Sequence, residues 1–272
     1  MKRHFEEIDA LYALGIVLVL IGHSHSSDWS RFSGAVLESA IHAIYTFHMP
    51  LFFVIAGFLF CHSDAIERKG FQTWFSDKSL RLLTPYLVLS YGALFPKFYV
   101  EHGGFGAFTV MDLLNTLLIP RRGVWGHLWF LPVLWMCYLL FGLWRRKRNA
   151  DNQRLMLLGA LSVSLLFYFL PLRTELLALS DLRESMVFFA AGMGLQAGYA
   201  RLAILLPEKD KSVRLLYVLP ALCALALGVW LNTVHQRIEA RWPAYGSLDD
   251  CRLLGLGRAC EKQRGDPLAQ RQ

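Results

Sequence analysis

Residues 47–57 read FHMPLFFVIAG, and residues 14–25 read LGIVLVLIGHSH. Both are apolar runs that carry histidine, one near its start and the other at its end. Histidine is costly in hydrocarbon unless it has partners or water, so two such runs ask for one explanation. The surrounding chain says what kind of medium they sit in. Hydrophobic residues make up 55% of the 272, aromatic residues 14% and charged residues 18%, against about 25% charged in ordinary soluble domains. The charges are also clustered, since residues 10–22 and 125–144 contain no Asp, Glu, Lys or Arg. Apolar stretches of about 20 residues are candidate membrane-spanning helices. The chain therefore reads as an all-α, polytopic transmembrane helical bundle.

Seven spans are expected, at about 8–25, 36–60, 80–96, 125–144, 155–172, 185–200 and 213–232. A signal peptide is the competing reading of the first, with Lys2 and Arg3 as a basic start and Ser24-His25-Ser26 as a cleavage site. Asp9 interrupts that pattern and further spans follow, which favours a retained span. Loop charge sets the orientation. With a cytoplasmic N-terminus, the inner segments carry fifteen Lys or Arg, among them RRKR at 145–148, and the outer loops carry six. That is a positive-inside bias. The net charge of +7 then reflects topology, and no nucleic-acid partner is implied.

Cys61, Cys137, Cys223, Cys251 and Cys260 form no CxxC or metal-spaced pair. Cysteine in or beside apolar spans behaves as a small hydrophobe, so neither a disulfide framework nor a metal site is expected. His23-Ser24-His25 is no ligand pair either, because positions i and i+2 diverge on a helix. The stretch AAGMGLQAG at 190–198 holds a GxxxG at Gly194 and Gly198, expected as a helix-packing surface. With no strand before it, it is not a nucleotide-binding fingerprint.

Depth links the two histidine runs. His23 lies fourteen residues after Asp9, roughly 21 Å along a helix. His48 lies twelve residues before Phe60 on a span running the other way, roughly 18 Å from the same surface. Both then sit in the outer half of a hydrocarbon core about 30 Å thick. Pro50 predicts a kink or restart beside His48, because proline removes a backbone donor and disfavours helix at Met49. Backbone freed at that depth belongs inside protein or beside a water-filled cavity. On the first span, Asp9, Tyr12, Ile16, Val19 and His23 are spaced to share one face, with Gly15 and Gly22 allowing close packing. The plainer alternative is that both histidines are satisfied interior residues.

At this point four segments in order resemble a known family. IDALYALGIVLVLIGHS (8–24), FHMPLFFVIAGFLF (47–60), RLLTPY (81–86) and HLWFLPVLW (127–135) are similar to the acyltransferase type 3 family, in its fucose 4-O-acetylase-like branch. The resemblance implies an integral-membrane O-acyltransferase that moves an acyl group, commonly acetyl from acetyl-CoA, onto a hydroxyl of a sugar or cell-surface glycan. It implies no tightly bound cofactor; acyl-CoA is the donor substrate, and the expected location is the bacterial inner membrane. Such a protein belongs to exopolysaccharide or lipopolysaccharide biosynthesis. His23 matches the family's essential histidine in an Arg-x10-His pattern, Arg81 the basic residue before Leu-x-x-Pro-Tyr, and Trp129 its fourth segment.

This sequence departs from the pattern in two places. Tyr12 stands where the family has a basic residue, so a cation for the donor must come from elsewhere. The family usually has about ten spans, against seven here. Residues 1–232 are expected as the membrane-embedded domain, incomplete at its C-terminal end, and 233–272 as a polar tail, divergent or frame-shifted.

The chemistry is coherent with that resemblance. A sugar hydroxyl is a poor nucleophile at neutral pH, and a positioned histidine can remove its proton as it attacks a thioester. His23 and His48 are the candidate catalytic pair, with His23 as general base. Arg81 is the candidate partner for CoA phosphates. Tyr45, His127 and Trp129 are the candidate acceptor side. Direct transfer and an acyl-histidine relay both remain open. The rival functional class is a transporter or exporter of a glycan or small polar solute, which also uses intramembrane histidines. An inactive truncated homologue is the third reading.

Overall fold

The computed structural model describes residues 6–24, 35–105, 108–123, 125–146, 153–170 and 174–205, with residues 226 and 230. The described residues are all-helical. Their α-helices are α1 (Glu6–Ser24), α2 (Ala35–His62), α3 (Ala65–Lys69), α4 (Phe71–His102), α5 (Val110–Leu118), α6 (Phe130–Arg146), α7 (Gln153–Phe169) and α8 (Leu179–Leu205). Short 3-10 turns cover Pro120–Arg122, Gly126–Trp129 and Leu176–Ala178. Six of the seven expected spans fall on long helices, and the seventh, 213–232, lies outside the described residues apart from two positions.

Apolar length separates these helices. One described helix, Gly126–Arg146, is long and apolar enough to cross a membrane, while Ile8–Gly22, His48–His62 and Leu155–Phe169 are apolar but shorter. The reason is that α4 and α8 continue well past their apolar stretches. They carry Asp77, Lys78, Arg81, Asp181, Arg183 and Glu184 inside continuous helix. Proline does not break α2 either. Contrary to the expected restart, the helix runs through Pro50 without interruption.

Chain direction follows from contacts at the helix ends. Arg145, near the end of α6, donates to the Phe60 carbonyl near the end of α2 at 2.8 Å and pairs with Glu67 at 2.8 Å. Arg121, ahead of α6, bonds Asp181 at the start of α8. Thus α2, α6 and α8 run one way. Helix α4 runs the other, with Trp74 against Gly142 and Tyr86 bonded to the Thr116 carbonyl. The end of α7 meets the start of α8, where Arg183 donates to the Leu170 carbonyl at 2.9 Å. This alternation is the one a serial crossing requires. Below, the end holding Arg145 is called the basic end, and the end holding Arg121 the loop end.

Helix α8 is the hub, packed on α2, α6 and α7. Phe189 is fully buried and sits among Phe141, stacked at 5.1 Å, Tyr138 at 5.3 Å and Phe60 at 5.6 Å. Between helices in lipid such aromatics contribute through ring packing, about 0.5–1.5 kcal/mol per pair. The closest approach is between α2 and α8. A Cβ on Gly57 would stand 2.0 Å from the Phe189 carbonyl oxygen, and one on Gly192 would stand 2.0 Å from that of Val54. The close α2–α8 contact is therefore made at Gly192 and not at the expected GxxxG. Among the described residues nothing lies within 4 Å of a Cβ at Gly194 or Gly198, because a step of two residues from Gly192 turns away from α2.

Away from the core, large apolar side chains are exposed on α1 (Leu14, Ile16, Val17, Leu20), on α4 (Val88, Leu89) and on α7 (Leu158, Leu166, Phe169). Ile16 belongs to this outward set, as does the exposed Asp9. The interior face of α1 is instead Tyr12, Gly15, Val19 and Gly22, where Gly15 meets the Phe52 ring. The expected stripe is rotated by a fraction of a turn because the glycines, which permit the closest approach, define the contact. Cys61 and Cys137 are buried, in line with their reading as small hydrophobes.

Candidate functional site

His48 lies midway along α2 and is 2% exposed. Its Nδ1–H donates to the carbonyl of Ile44, one turn earlier, at 2.7 Å. Bonding Nδ1 this way selects the tautomer that leaves Nε2 as the basic nitrogen. Three residues earlier on the same helix is Tyr45. Helices α1 and α2 pack together, with Phe52 against Tyr12 (6.1 Å between ring centroids) and Gly15. His23 stands in the last turn of α1, so both histidine positions lie on the same side of that contact, towards the loop end. The side chains of His23 and Tyr45 lie outside the described residues.

The loop end is built from α5, the turns around it and the start of α8. Thr109 caps α5, with Asp112 returning the bond to the Thr109 backbone at 2.8 Å. Tyr91 bonds the Leu113 carbonyl at 3.1 Å. The guanidinium of Arg121 forks onto both oxygens of Asp181, its Nε 2.8 Å from each. The same guanidinium lies over the Trp129 ring at 4.5 Å. Arg122 pairs with Glu175 at 2.6 Å. Asp181 is buried, and that burial pushes its carboxyl above the usual range while Arg121 pulls it back.

The chain enters α8 through Leu177 and Ala178, both at positive φ (52° and 53°). This conformation costs a side-chain-bearing residue. It is held by Ser180, whose hydroxyl donates to the Thr174 carbonyl at 2.8 Å.

Of the expected acceptor residues, Trp129 is half-buried and fixed by Arg121. His127 is exposed, edge-on to Trp125 at 5.4 Å. Both belong to the loop end. Arg81 is elsewhere. It is an exposed residue of α4, in the same helix as Lys78 and close enough to depress the basicity of that lysine. The expected set is thus divided between the loop end (His127, Trp129), the middle of the bundle (His48) and the basic half of α4 (Arg81).

Sequence reasoning missed three members of these groups. Asp181 and Arg121 fell in loops between spans, and nothing in their spacing pairs residues sixty positions apart. Lys78 was counted only as a topology charge, although its spacing from Trp74 and Leu82 places it on the inward stripe of α4. Among the described residues no group of His, Cys, Asp and Glu could hold a metal ion.

Comparison with known proteins identifies the class. Residues 5–248 match the acyltransferase domain of the type 3 family, and the chain belongs to that membrane-associated family. Among curated proteins it is similar to the nodulation protein NolL of Mesorhizobium japonicum, at 27% identity over 166 residues. The match covers 57% of this chain and 40% of that relative. No solved structure matches it.

Proposed function

We propose that the protein is an O-acyltransferase that moves an acetyl or other short acyl group from acyl-CoA to a hydroxyl of a sugar or cell-surface glycan. The observation that carries this reading is the family match over residues 5–248, which contains the His23 and His48 segments together with Arg81 and Trp129. The chain lies in the bacterial inner membrane with a cytoplasmic N-terminus, as its loop charges suggest. CoA then approaches the basic end and the acceptor approaches the loop end, where Trp129 and His127 receive the sugar.

His23 takes the proton of the acceptor hydroxyl as that oxygen attacks the thioester carbonyl. The C–S bond breaks, and CoA leaves as the thiolate and recovers a proton. His48 supports the acceptor side of the reaction through the Nε2 that its Nδ1 bond leaves basic. Membranes containing the protein, supplied with acetyl-CoA and a panel of glycans, should release free CoA and yield an acetyl ester on one of them. Acetyl-CoA left intact with every acceptor, while the protein is present and folded, overturns the proposal.

A further inference from the structure

The loop end holds recognition chemistry that His127 and Trp129 alone do not use, and Arg121 is its centre. The Asp181 carboxylate, 6% exposed, fixes one edge of the guanidinium, with Nε 2.8 Å from each oxygen and Nη2 donating to the same group. The Trp129 ring holds one face of it at 4.5 Å. Among the described residues nothing bonds Nη1, and the side chain is 51% exposed. A guanidinium carries five N–H donors in a rigid fork. Two groups of this chain therefore hold the fork in place and leave its Nη1 donors unused.

The turn that follows brings apolar surface to the same place. A Cβ on Gly126 would stand 2.5 Å from the Arg121 carbonyl oxygen, so it is a glycine that lets the Gly126–Trp129 turn close on this backbone. Trp125 and His127 flank that contact. The Trp125 ring is 44% exposed, with His127 edge-on to it at 5.4 Å. Bare indole surface next to a fixed donor fork suits a sugar, whose C–H face covers the ring while adjacent hydroxyls accept from the fork.

Charge decides which sugar. An arginine fork usually meets a carboxylate or phosphate, but Asp181 already supplies that partner. The neighbouring arginines are matched too, Arg122 with Glu175 at 2.6 Å and Arg183 with Glu184 at 3.1 Å. An anion arriving here would lose hydration without gaining an uncompensated positive charge, whereas hydroxyls need only the donors.

We propose that Arg121 is a specificity residue of the acceptor site, donating from Nη1 to neighbouring hydroxyls of a sugar laid on Trp125, and that its pairing with Asp181 restricts the acceptor to uncharged sugars. This rests on the sugar-acceptor reading above and adds which acceptors are refused.

The test uses methyl glycosides in matched pairs, the glucoside with the glucuronide and the galactoside with the galacturonide, which differ by one carboxylate. Saturation-transfer NMR on the full chain in phosphatidylcholine nanodiscs reads binding for wild type, Arg121→Lys, Trp125→Ala and Asp181→Asn. The neutral member of a pair should bind at least about tenfold tighter than its uronide, and should lose about tenfold in Arg121→Lys, which keeps the charge but not the fork. Trp125→Ala should weaken both members alike. In Asp181→Asn the uncovered Arg121 charge should shift the ratio towards the uronide by about tenfold, a change that a packing defect does not produce. A uronide bound by wild type as tightly as its neutral partner overturns the site, as does an unshifted ratio in Asp181→Asn, wild-type affinity in Trp125→Ala, or no binding of any glycoside. Acetyl-CoA consumption with the same glycosides keeps the two readings apart. Neutral glycosides that bind through Arg121 yet are never acetylated uphold the site and defeat transfer; uronides acetylated as readily as neutral sugars defeat the site and leave transfer standing.

Discussion

His48 is a buried polar residue whose place is fixed from both sides, by its own backbone bond to Ile44 and by the packing of α2 on α1. Replacing it with Phe removes the basic nitrogen but keeps an aromatic ring in the same shell. Transfer should fall sharply in His48→Phe while CoA binding persists, because on the proposed reading the donor approaches from the basic end and His48 serves the acceptor side. Wild-type transfer by that variant would return His48 to the role of a satisfied interior residue. His23 is the more demanding case. As general base, its loss should reduce transfer about a hundredfold or more, with normal abundance in the membrane. An acyl-transfer assay on membranes of matched protein content reads both variants, and full activity of His23→Ala would exclude it as the base.

Two element-scale features have opposite consequences for stability. The α2–α8 crossing admits no side chain at Gly57 or Gly192, since each faces backbone and not a movable side chain. Gly192→Ala should cost about 2 kcal/mol or more, because the helices must separate to admit the methyl group. Gly194→Ala and Gly198→Ala meet no described residue, so they should be neutral or raise stability by up to about 1 kcal/mol through helix propensity. Thermal unfolding in detergent distinguishes them, and equal effects at the three positions would contradict the crossing.

The Asp181–Arg121–Trp129 chain behaves differently. Burial raises the Asp181 pKa above its ordinary 3.8, so between that value and the folded one the folded state holds a proton that the unfolded chain has released. Stability from this group then falls as pH rises from about 4 through the folded value. Asp181→Asn removes that penalty, and half-exposed Arg121 can be rehydrated, so the change in stability should be within about 1 kcal/mol. The acceptor side should still suffer. Without the fork, Arg121 no longer holds the Trp129 ring, and KM for the acceptor should rise while CoA affinity stays constant. A large loss of stability with unchanged acceptor KM would make Asp181 a purely structural residue.

At the scale of the whole molecule, the alternating helix directions predict which loops share a side. Single cysteines introduced at the 145–148 loop should label from the cytoplasm, and those introduced within 97–123 from the opposite face. Labelling of both from one side would sink the serial crossing, whatever the chemistry. The outward apolar faces of α1, α4 and α7 agree with a lipid environment. The division of the candidate residues between two ends and a middle agrees with a donor and an acceptor arriving from different sides.

The sequence by itself determined the helical class, the positions of six long helices and the two histidine runs. These depend on hydrophobic period and local charge, which a linear pattern carries. It also carried the family, through four ordered segments. It misplaced what depends on rotation about a helix axis, the outward turn of Ile16, and it did not single out Gly192 at the α2–α8 crossing. A period of 3.6 residues leaves several faces nearly equivalent, and only the partner helix chooses between them. Likewise Pro50 left a kink or a restart open, and the structure carries α2 through it as one continuous helix. Pairings across long separations, such as Arg121 with Asp181 or Lys78 with Tyr138, were decided by the tertiary structure alone. Their energies come from proximity and burial, and neither exists until the helices have packed.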